Sequence, residues 1–256
     1  MPEMDYELYM DTAVLAGKIM LESNAETYRV EDTVTRILQI TNLEMIDALA
    51  LTTGLIATLD SPHMHAITVV KRISNRTVNL NKITKVNDVS RRLTEGAITV
   101  HQAYDLLQNI DEIQYNEFQR DIAIVGFIQA IVLMFDGGKN EFISILPISI
   151  AVSIMIHFGR SWRVKPFILD MVASFVIALL AIIISRYTPY PVQDDVLIIS
   201  AIMPLVPGTA LTNGVRDIFR GDYMSGGAKI LEALMIAIFI AIGIGTGLIL
   251  GERLLS

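Results

Sequence analysis

The sequence predicts an α-helical polytopic membrane protein of about five transmembrane helices with an N-terminal cytoplasmic α/β domain. Of its 256 residues, 52% are hydrophobic and only 18% are charged, and long apolar runs fill the second half of the chain. The first half instead shows the short helical and alternating periodicities of a soluble domain. We therefore expect a cytoplasmic domain at residues 1–120 and a transmembrane domain at residues 121–256.

Charge and cysteine content exclude several classes of function. Residues 1–121 contain 18 acidic and 11 basic residues, so the whole net charge of −7 lies in the first half. This acidity argues against nucleic-acid binding, which favours a basic face. Cysteine is absent, so disulfides, cysteine-ligated zinc and a thiol nucleophile are excluded. The acidic start MPEMDYELYMDTAV does not resemble a signal peptide, which predicts that the first half stays in the cytoplasm.

Five apolar runs approach the length of roughly 20 residues that a bilayer crossing needs. They are Phe118–Phe135, Phe142–Phe158, Phe167–Ser185, Val196–Leu211 and Ile230–Leu250. The loop around GRSWRVKP and the loop from Thr212 to Lys229 carry most of the basic residues between these runs. Because basic loops favour the cytoplasmic side, the N-terminus is predicted inside and the C-terminus outside.

The first 120 residues predict helices, then strands, then two further helices. A possible Ser23/Glu26 capping box would begin the second helix. The runs ALALTTGLIATL and MHAITVVKRI, separated by the turn signal DSPH, predict paired strands. The next apolar residues recur with helical spacing until Gly96, and Thr99/Gln102 form a second capping box.

The stretch PLVPGTALTNGVRD interrupts the fourth apolar run. Pro204 and Pro207 remove backbone donors, and Gly208 loosens the chain between them and the following helix. Backbone groups freed in this way must be buried in protein or line a watery cavity, as in the broken helices of secondary transporters. A proline-kinked span that ends in a polar loop is the alternative. If helix resumes, Asn213 and Asp217 share one face, with Arg216 adjacent.

Two further features lie in the apolar runs. Asp170, in FILDMVASFVIALL, has two interpretations. It is either an intramembrane carboxylate, which must face a cavity, bind a proton or pair with a partner, or an interfacial residue close to Lys165. Gly243, Gly247 and Gly251 recur every four residues and predict a groove in which another helix packs, either within the chain or from another chain. The alternative is that these glycines reflect only the high frequency of glycine in membrane helices.

Candidate catalytic and metal-binding groups are weak. Ser23, with charged neighbours that include Arg29 and Glu31 in SNAETYRVED, could be a hydrolase nucleophile, but a helix cap and a solvated turn explain it better. His63 and His65 could ligate a metal, although a solvated turn and strand is favoured. No G-x-S-x-G, phosphate-loop or H-E-x-x-H motif occurs, and neither a metal nor a cofactor is predicted.

Several segments together resemble the threonine/serine exporter family. They are SNAETYRVEDTVTRI, HAITVVKRI, EGAITVHQAYDLLQNI and PLVPGTALTNGVRDIFRGDYMSGGAKILEA, in the order that the family has. Full-length members carry a cytoplasmic domain and about ten spans in two related halves, and this chain resembles the first half. The resemblance implies the split form found in bacterial inner membranes, in which a smaller membrane protein supplies the second half, one such pair being associated with succinate export. It places Ser23, Arg29, Glu31, Pro207, Gly208, Asn213 and Asp217 among the residues to test.

The functional hypothesis is a multi-pass exporter subunit of the bacterial inner membrane. Its expected substrate is a small carboxylate-bearing metabolite, either threonine and serine or a dicarboxylate such as succinate. Its expected partners are the lipid bilayer and a smaller membrane protein or further copies of itself. Asp170 or Asp217 could couple export to protons, because a carboxylate can alternate between neutral and ionised forms. A membrane-tethered hydrolase and a regulatory or assembly subunit are the alternatives.

Overall fold

The computed structural model describes residues 5–62, 64–110, 115–162 and 164–255 and divides the chain into two compact units. The first unit comprises Met1–Glu112 and Thr209–Leu231, and the second comprises Ile113–Gly208 and Glu232–Ser256. The sequence predicted one boundary, at residue 120, and therefore placed residues 209–231 in the transmembrane domain and not with the N-terminal domain.

In the first unit, two helices pack on one face of a small sheet. The helices are α1 (Tyr6–Glu22) and α2 (Thr27–Leu38), and the strands are β1 (Met45–Leu51), β2 (Gly54–Ser61) and β3 (Met64–Arg72). The strands are antiparallel in the order β1-β2-β3. Alternate residues on one face of the sheet, Ala50, Leu55, Ala57 and Leu59, enter the core with the apolar faces of both helices.

The first predicted strand run is divided in the structure. A tight turn at Thr52 and Thr53 splits ALALTTGLIATL into β1 and β2, so the sheet has three strands among the described residues. The predicted helices that follow are confirmed as α3 (Leu80–Thr94) and α4 (Val100–Gln108). Gly96 follows α3 with a φ of 72°, a conformation that glycine adopts without strain. The Thr99/Gln102 capping box is present.

The second unit is built from apolar helices. They are α5 (Glu117–Met134), α6 (Lys139–Ser144), α7 (Leu146–Ser161), α8 (Pro166–Tyr187), α9 (Asp194–Ile202) and the greater part of α11 (Tyr223–Leu255). A continuous core of isoleucine, valine and alanine side chains lies between them. The loop before α9 is held by Glu141, whose carboxylate accepts hydrogen bonds from the amides of Gly138 (2.8 Å) and Gln193 (3.1 Å).

Within the described residues, three helical segments are long and apolar enough to cross a membrane. They are Lys139–Ser161, Pro166–Tyr187 and Tyr223–Leu254, which overlap the second, third and fifth predicted spans. The first predicted span is an 18-residue helix whose first turns carry Glu117, Arg120 and Asp121. The fourth is interrupted: α9 ends at Ile202, and α10 (Gly208–Phe219) begins only after both prolines. The count of five spans and the orientation stay predictions.

The glycines of α11 pack against α8 in the second unit. A Cβ atom added to Gly243 would lie 2.3 Å from the carbonyl oxygen of Met171, and one added to Gly247 would lie 2.6 Å from that of Phe175. Gly251 meets Ile182 in the same way. Such close backbone approach requires residues without side chains, so the groove contacts a helix of the same chain.

We expect Gly243→Ala to destabilise the second unit by about 1–3 kcal/mol, the usual cost of overpacking a tight contact. Gly245→Ala is the matched control, because a Cβ atom there meets nothing within 4 Å and alanine favours helix. Thermal unfolding of the two purified variants in detergent measures the difference. Equal unfolding temperatures would contradict the tight α8–α11 contact.

Candidate functional site

The turn between α1 and α2 leaves a helix N-terminus in need of a partner. Ser23 is the C-cap of α1, and Asn24 reverses the chain with a φ of 62°, a left-handed conformation that asparagine tolerates well. Glu26 precedes α2 but forms no side-chain cap with it. The predicted Ser23/Glu26 capping box is therefore wrong, because α1 continues to Glu22 and uses Ser23 to close its own end.

Asp217 of α10 provides the missing cap, although it lies 190 residues further along the chain. Its carboxylate accepts a hydrogen bond from the amide of Thr27 (3.3 Å) and another from the hydroxyl of Thr27 (2.9 Å). A carboxylate at this position is also stabilised by the positive end of the α2 dipole. Both residues belong to the first unit and are fully buried.

Lys229 completes this interaction from the first turns of α11. Its Nζ lies 2.8 Å from Asp217 Oδ2 and donates a second hydrogen bond to the carbonyl oxygen of Ala25 at 3.3 Å. The two charged side chains are 3% and 0% exposed. Small residues allow this arrangement, since Gly214 of α10 and Gly226 of α11 bring the two helix backbones into direct contact.

A second set of charged groups lies beside this buried pair and consists of two exposed arginines around a buried carboxylate. The guanidinium groups of Arg216 and Arg29 both contact the Glu26 carboxylate, the latter at 2.6 Å. Burial by itself would raise the pKa of Glu26, but hydrogen bonds from Arg216 and Tyr28 and the charges of both arginines outweigh it, so the pKa lies below its usual value. Glu26 is therefore an anion at neutral pH.

These groups line a pocket of about 240 Å³. Its polar wall contains Asn24, Glu26, Arg29, Asn213 and Arg216. The amide of Asn213 donates a hydrogen bond to the carbonyl oxygen of Asn24 at 3.0 Å. The pocket thus presents two cations, one anion and amide groups within a space that suits a small metabolite.

The other residues predicted in the cytoplasmic domain have separate positions. Glu31 Oε1 accepts a hydrogen bond from the amide of Ala50 at 2.9 Å, which ties α2 to β1. Burial raises the pKa of Glu31, and nearby carboxylates add to this effect. Ser23 is buried and lines a different pocket, next to α4. Of the two candidate metal ligands, His63 lies outside the described residues and His65 is exposed on β3.

The remaining predicted transport residues belong to the second unit. Pro204, Pro207 and Gly208 occupy the break between α9 and α10, and Asp170 is buried in α8. Among the described residues, no group donates a hydrogen bond to the Asp170 carboxylate or forms an ion pair with it. A buried carboxylate without a cation is costly unless it binds a proton.

Sequence reasoning missed three residues of the polar cluster, the group formed by Glu26, Thr27, Arg29, Asn213, Arg216, Asp217 and Lys229. Glu26 was interpreted as part of a helix start, Lys229 served only to orient a loop, and Thr27 was not singled out. The available signal was that SNAETYR and TNGVRD both belong to the motifs of one family. The shared face predicted for Asn213 and Asp217 is present, and it contacts the turn at residues 24–27.

Comparison with known proteins agrees with the motifs that form this cluster. The sequence model of the ThrE family, described as "Putative threonine/serine exporter", matches residues 11–251. The chain belongs to the threonine/serine exporter family. Membership favours a membrane transporter over an enzyme, and the membrane-tethered hydrolase is not supported.

Two curated relatives of this exporter-family chain are distant. A "Probable threonine/serine exporter" of Mycobacterium tuberculosis is 20% identical over 240 residues, which cover 92% of this chain and 45% of that protein. An uncharacterized protein of Schizosaccharomyces pombe is 22% identical over 187 residues, which cover 70% of this chain and 22% of that protein. The chain thus spans less than half the length of these relatives. No solved structure gives a significant match.

We expect Asp217→Asn to lower the free energy of unfolding by about 3–5 kcal/mol, because it leaves the Lys229 cation buried without a counter-charge. Asp88→Asn is the matched control, since its ion pair with Arg92 in α3 is exposed and contributes at most about 1 kcal/mol. Chemical unfolding of the purified variants measures both values. The double variant Asp217→Asn/Lys229→Met should recover part of the loss. Similar stability of Asp217→Asn and Asp88→Asn would show that the buried pair does not hold the unit together.

Proposed function

We propose that the chain is a subunit of a secondary exporter that moves a small amino acid, of the threonine or serine class, out across a bacterial inner membrane. The observation that carries this proposal is the pocket in which Arg29 and Arg216 flank Glu26. Family membership supports export, and the name of the Mycobacterium tuberculosis relative supports the substrate class.

The charge pattern of the pocket matches a zwitterion. A guanidinium group binds a carboxylate with two parallel hydrogen bonds, so Arg216 or Arg29 could hold the substrate carboxylate. Glu26, together with amide oxygens, could hold the substrate ammonium group. The Arg216 and Arg29 side chains are 57% and 50% exposed, so a ligand can reach them, whereas the Glu26 carboxylate is 6% exposed and would take the substrate ammonium group as its new counter-charge.

A succinate-like dicarboxylate fits this pattern less well. It has no ammonium group, and its second carboxylate would approach the Glu26 anion. Like charges at close range disfavour binding. The amino acid is therefore the preferred substrate class, and the dicarboxylate is the alternative that the Glu26→Gln variant tests.

We expect Arg216→Lys to lower threonine export about tenfold or more, because lysine keeps the charge but loses the planar pair of donors. Arg92→Lys, an exposed position on α3, is the control. Export of labelled threonine from loaded cells, normalised to the amount of protein in the membrane, gives the comparison.

Glu26→Gln separates the two substrate classes in the same assay. It should reduce threonine export and leave succinate export equal or higher, since it removes the anion that opposes a second carboxylate. An unchanged threonine rate in both Arg216→Lys and Glu26→Gln would remove the pocket from the export path. A loss of succinate export alone would favour the dicarboxylate.

Proton coupling is assigned in this proposal to Asp170 rather than Asp217. Asp217 is held by three hydrogen bonds, two from Thr27 and one from Lys229, and its release would cost the first unit much of its stability. Asp170 has no such partner among the described residues. It can therefore bind and release a proton without breaking an ion pair to any described residue.

We expect Asp170→Asn to abolish threonine export driven by a proton gradient without lowering the amount of protein in the membrane. Asparagine has nearly the same shape but cannot carry a proton. Asp194→Asn, exposed at the start of α9, is the control. Export of threonine against its own gradient, with and without an uncoupler, measures the effect. Full gradient-driven export by Asp170→Asn would exclude this residue from coupling.

We further infer that a second set of membrane helices completes the path, supplied by a smaller membrane protein or by further copies of this chain. The support is that the chain covers 45% of the Mycobacterium tuberculosis relative. In transporters built from two related sets of helices, the substrate site lies at their interface.

Vesicles reconstituted with this chain alone, at a protein density that gives single copies, should show no threonine exchange. Vesicles reconstituted with the chain and the membrane protein that co-purifies with it should show threonine exchange. If further copies of the chain suffice, vesicles with the chain alone at a higher protein density should also show exchange. Full exchange by single copies would refute the need for a second set of helices.

A further inference from the structure

Three ionisable side chains join α5 to α7 in the second unit, apart from the residues discussed above. His157 Nδ1 lies 2.9 Å from the Asp121 carboxylate, and His157 Nε2 lies 3.8 Å from the Glu117 carboxylate. Ser153, one turn before His157, donates a hydrogen bond to the backbone carbonyl oxygen of Asp121 at 3.1 Å. The pair of His157 and Asp121 is therefore held in place from both helices.

This pair lies in an apolar environment. His157 belongs to the segment Lys139–Ser161, which is long and apolar enough to cross a membrane. It lines a groove of about 550 Å³ whose other walls are mostly apolar, including Ile122, Ile154 and Phe158. Ionisable side chains in such a segment are costly and commonly belong to ion or proton pathways.

Neither His157 nor Asp121 is fully buried. The His157 and Asp121 side chains are 34% and 28% exposed, so a proton can reach them through the groove. Asp170, by contrast, is only 9% exposed in the neighbouring helix α8. The two helices pack closely at this level, because a Cβ atom on Gly159 would lie 2.5 Å from Leu169.

The charged groups at the same end of α5 and α7 as this pair are Glu117, Arg120 and Arg160. The charged residues of the other helices packed in this unit are Lys139 and Glu141 of α6, Asp170 of α8, and Asp194 and Asp195 of α9. Among the described residues, only Asp121 and Glu117 come within ion-pairing distance of His157. These two carboxylates are therefore the nearest counter-charges to His157 among the described residues.

We propose that His157 and Asp121 form a proton-exchange site, at which the coupling proton passes between the α5–α7 groove and the aqueous phase at that end of α7. This inference rests on the proposed proton-coupled export. Binding of a proton to His157 creates an imidazolium ion that pairs with Asp121 and Glu117. Loss of that proton leaves Asp121 as an anion that accepts a hydrogen bond from neutral imidazole. The groove thus alternates between two charge states with little movement of the side chains.

The test compares two modes of transport in inverted membrane vesicles that contain the complete exporter. The first mode is threonine accumulation driven by a proton gradient, and the second is exchange of labelled for unlabelled threonine without a gradient. His157→Asn keeps a donor near the Nδ1 position but cannot bind a proton. It should lower driven accumulation about tenfold or more and flatten its dependence on pH between about 5 and 8, the range in which histidine titrates. Exchange should stay within about twofold of the wild-type rate, a change of under half a kilocalorie per mole.

Matched variants distinguish proton exchange from a structural role. His101→Asn, exposed on α4, should leave both modes unchanged. Asp121→Glu, which keeps a carboxylate, should retain driven accumulation, whereas Asp121→Asn should lose it.

If His157→Asn keeps driven accumulation and a pH profile like those of the wild type, this inference is overturned but the proposed function is not. Equal loss of both modes would also overturn it, because a merely structural residue affects both. If the wild-type vesicles exchange no threonine, the proposed function itself fails and this inference falls with it.

Discussion

The position of α10 in the first unit depends on one buried interaction, the contact of Asp217 with Thr27 and Lys229. Two charged side chains without access to water are favourable only when each neutralises the other and their remaining hydrogen-bonding groups are satisfied. Here the Thr27 amide and hydroxyl, the α2 dipole and the Ala25 carbonyl group complete that requirement. The interaction holds α10 and the start of α11 against the turn between α1 and α2.

That contact also creates the pocket. Once Asp217 is bound to the N-terminus of α2, the helical spacing of α10 directs Asn213 and Arg216 to the same turn. Asn213 then bonds to Asn24, and Arg216 meets Glu26. Arg220 lies one turn further along α10, and its Cζ atom is 3.3 Å from the centre of the Tyr28 ring. This cation–π contact extends the same interface. The pocket is thus formed by two segments, neither of which contains a binding site by itself.

Burial divides the charged residues into two roles. The Lys229–Asp217 pair is nearly inaccessible, and loss of one partner costs several kilocalories per mole, so these residues maintain the fold. The Arg216 and Arg29 side chains that pair with Glu26 are 57% and 50% exposed, although the Glu26 carboxylate itself is only 6% exposed. A ligand can therefore reach the arginine side of these pairs. This difference in exposure, rather than the identity of the residues, separates Asp217 from Arg216.

Local patterns in the sequence determined much of the secondary structure. Helical spacing and the Thr99/Gln102 cap predicted α3 and α4, and two prolines predicted the interruption before α10. Length and hydropathy predicted five spans, three of which overlap described helices that are long and apolar enough to cross a membrane. Each of these features depends on neighbours within a few residues. The family motifs also pointed to both segments that form the polar cluster.

Only the tertiary structure decided which of those residues meet. A capping box at Ser23/Glu26 was plausible from spacing alone, yet α2 is capped by a carboxylate 190 residues away, and no local pattern can specify a partner at that distance. For the same reason the sequence did not connect Lys229 to Asp217, and it did not reveal that His157 of α7 faces Asp121 of α5. Sequence determines which residues carry charge and on which helix face they lie. Folding determines which charges are buried together, and burial decides what each of them can do.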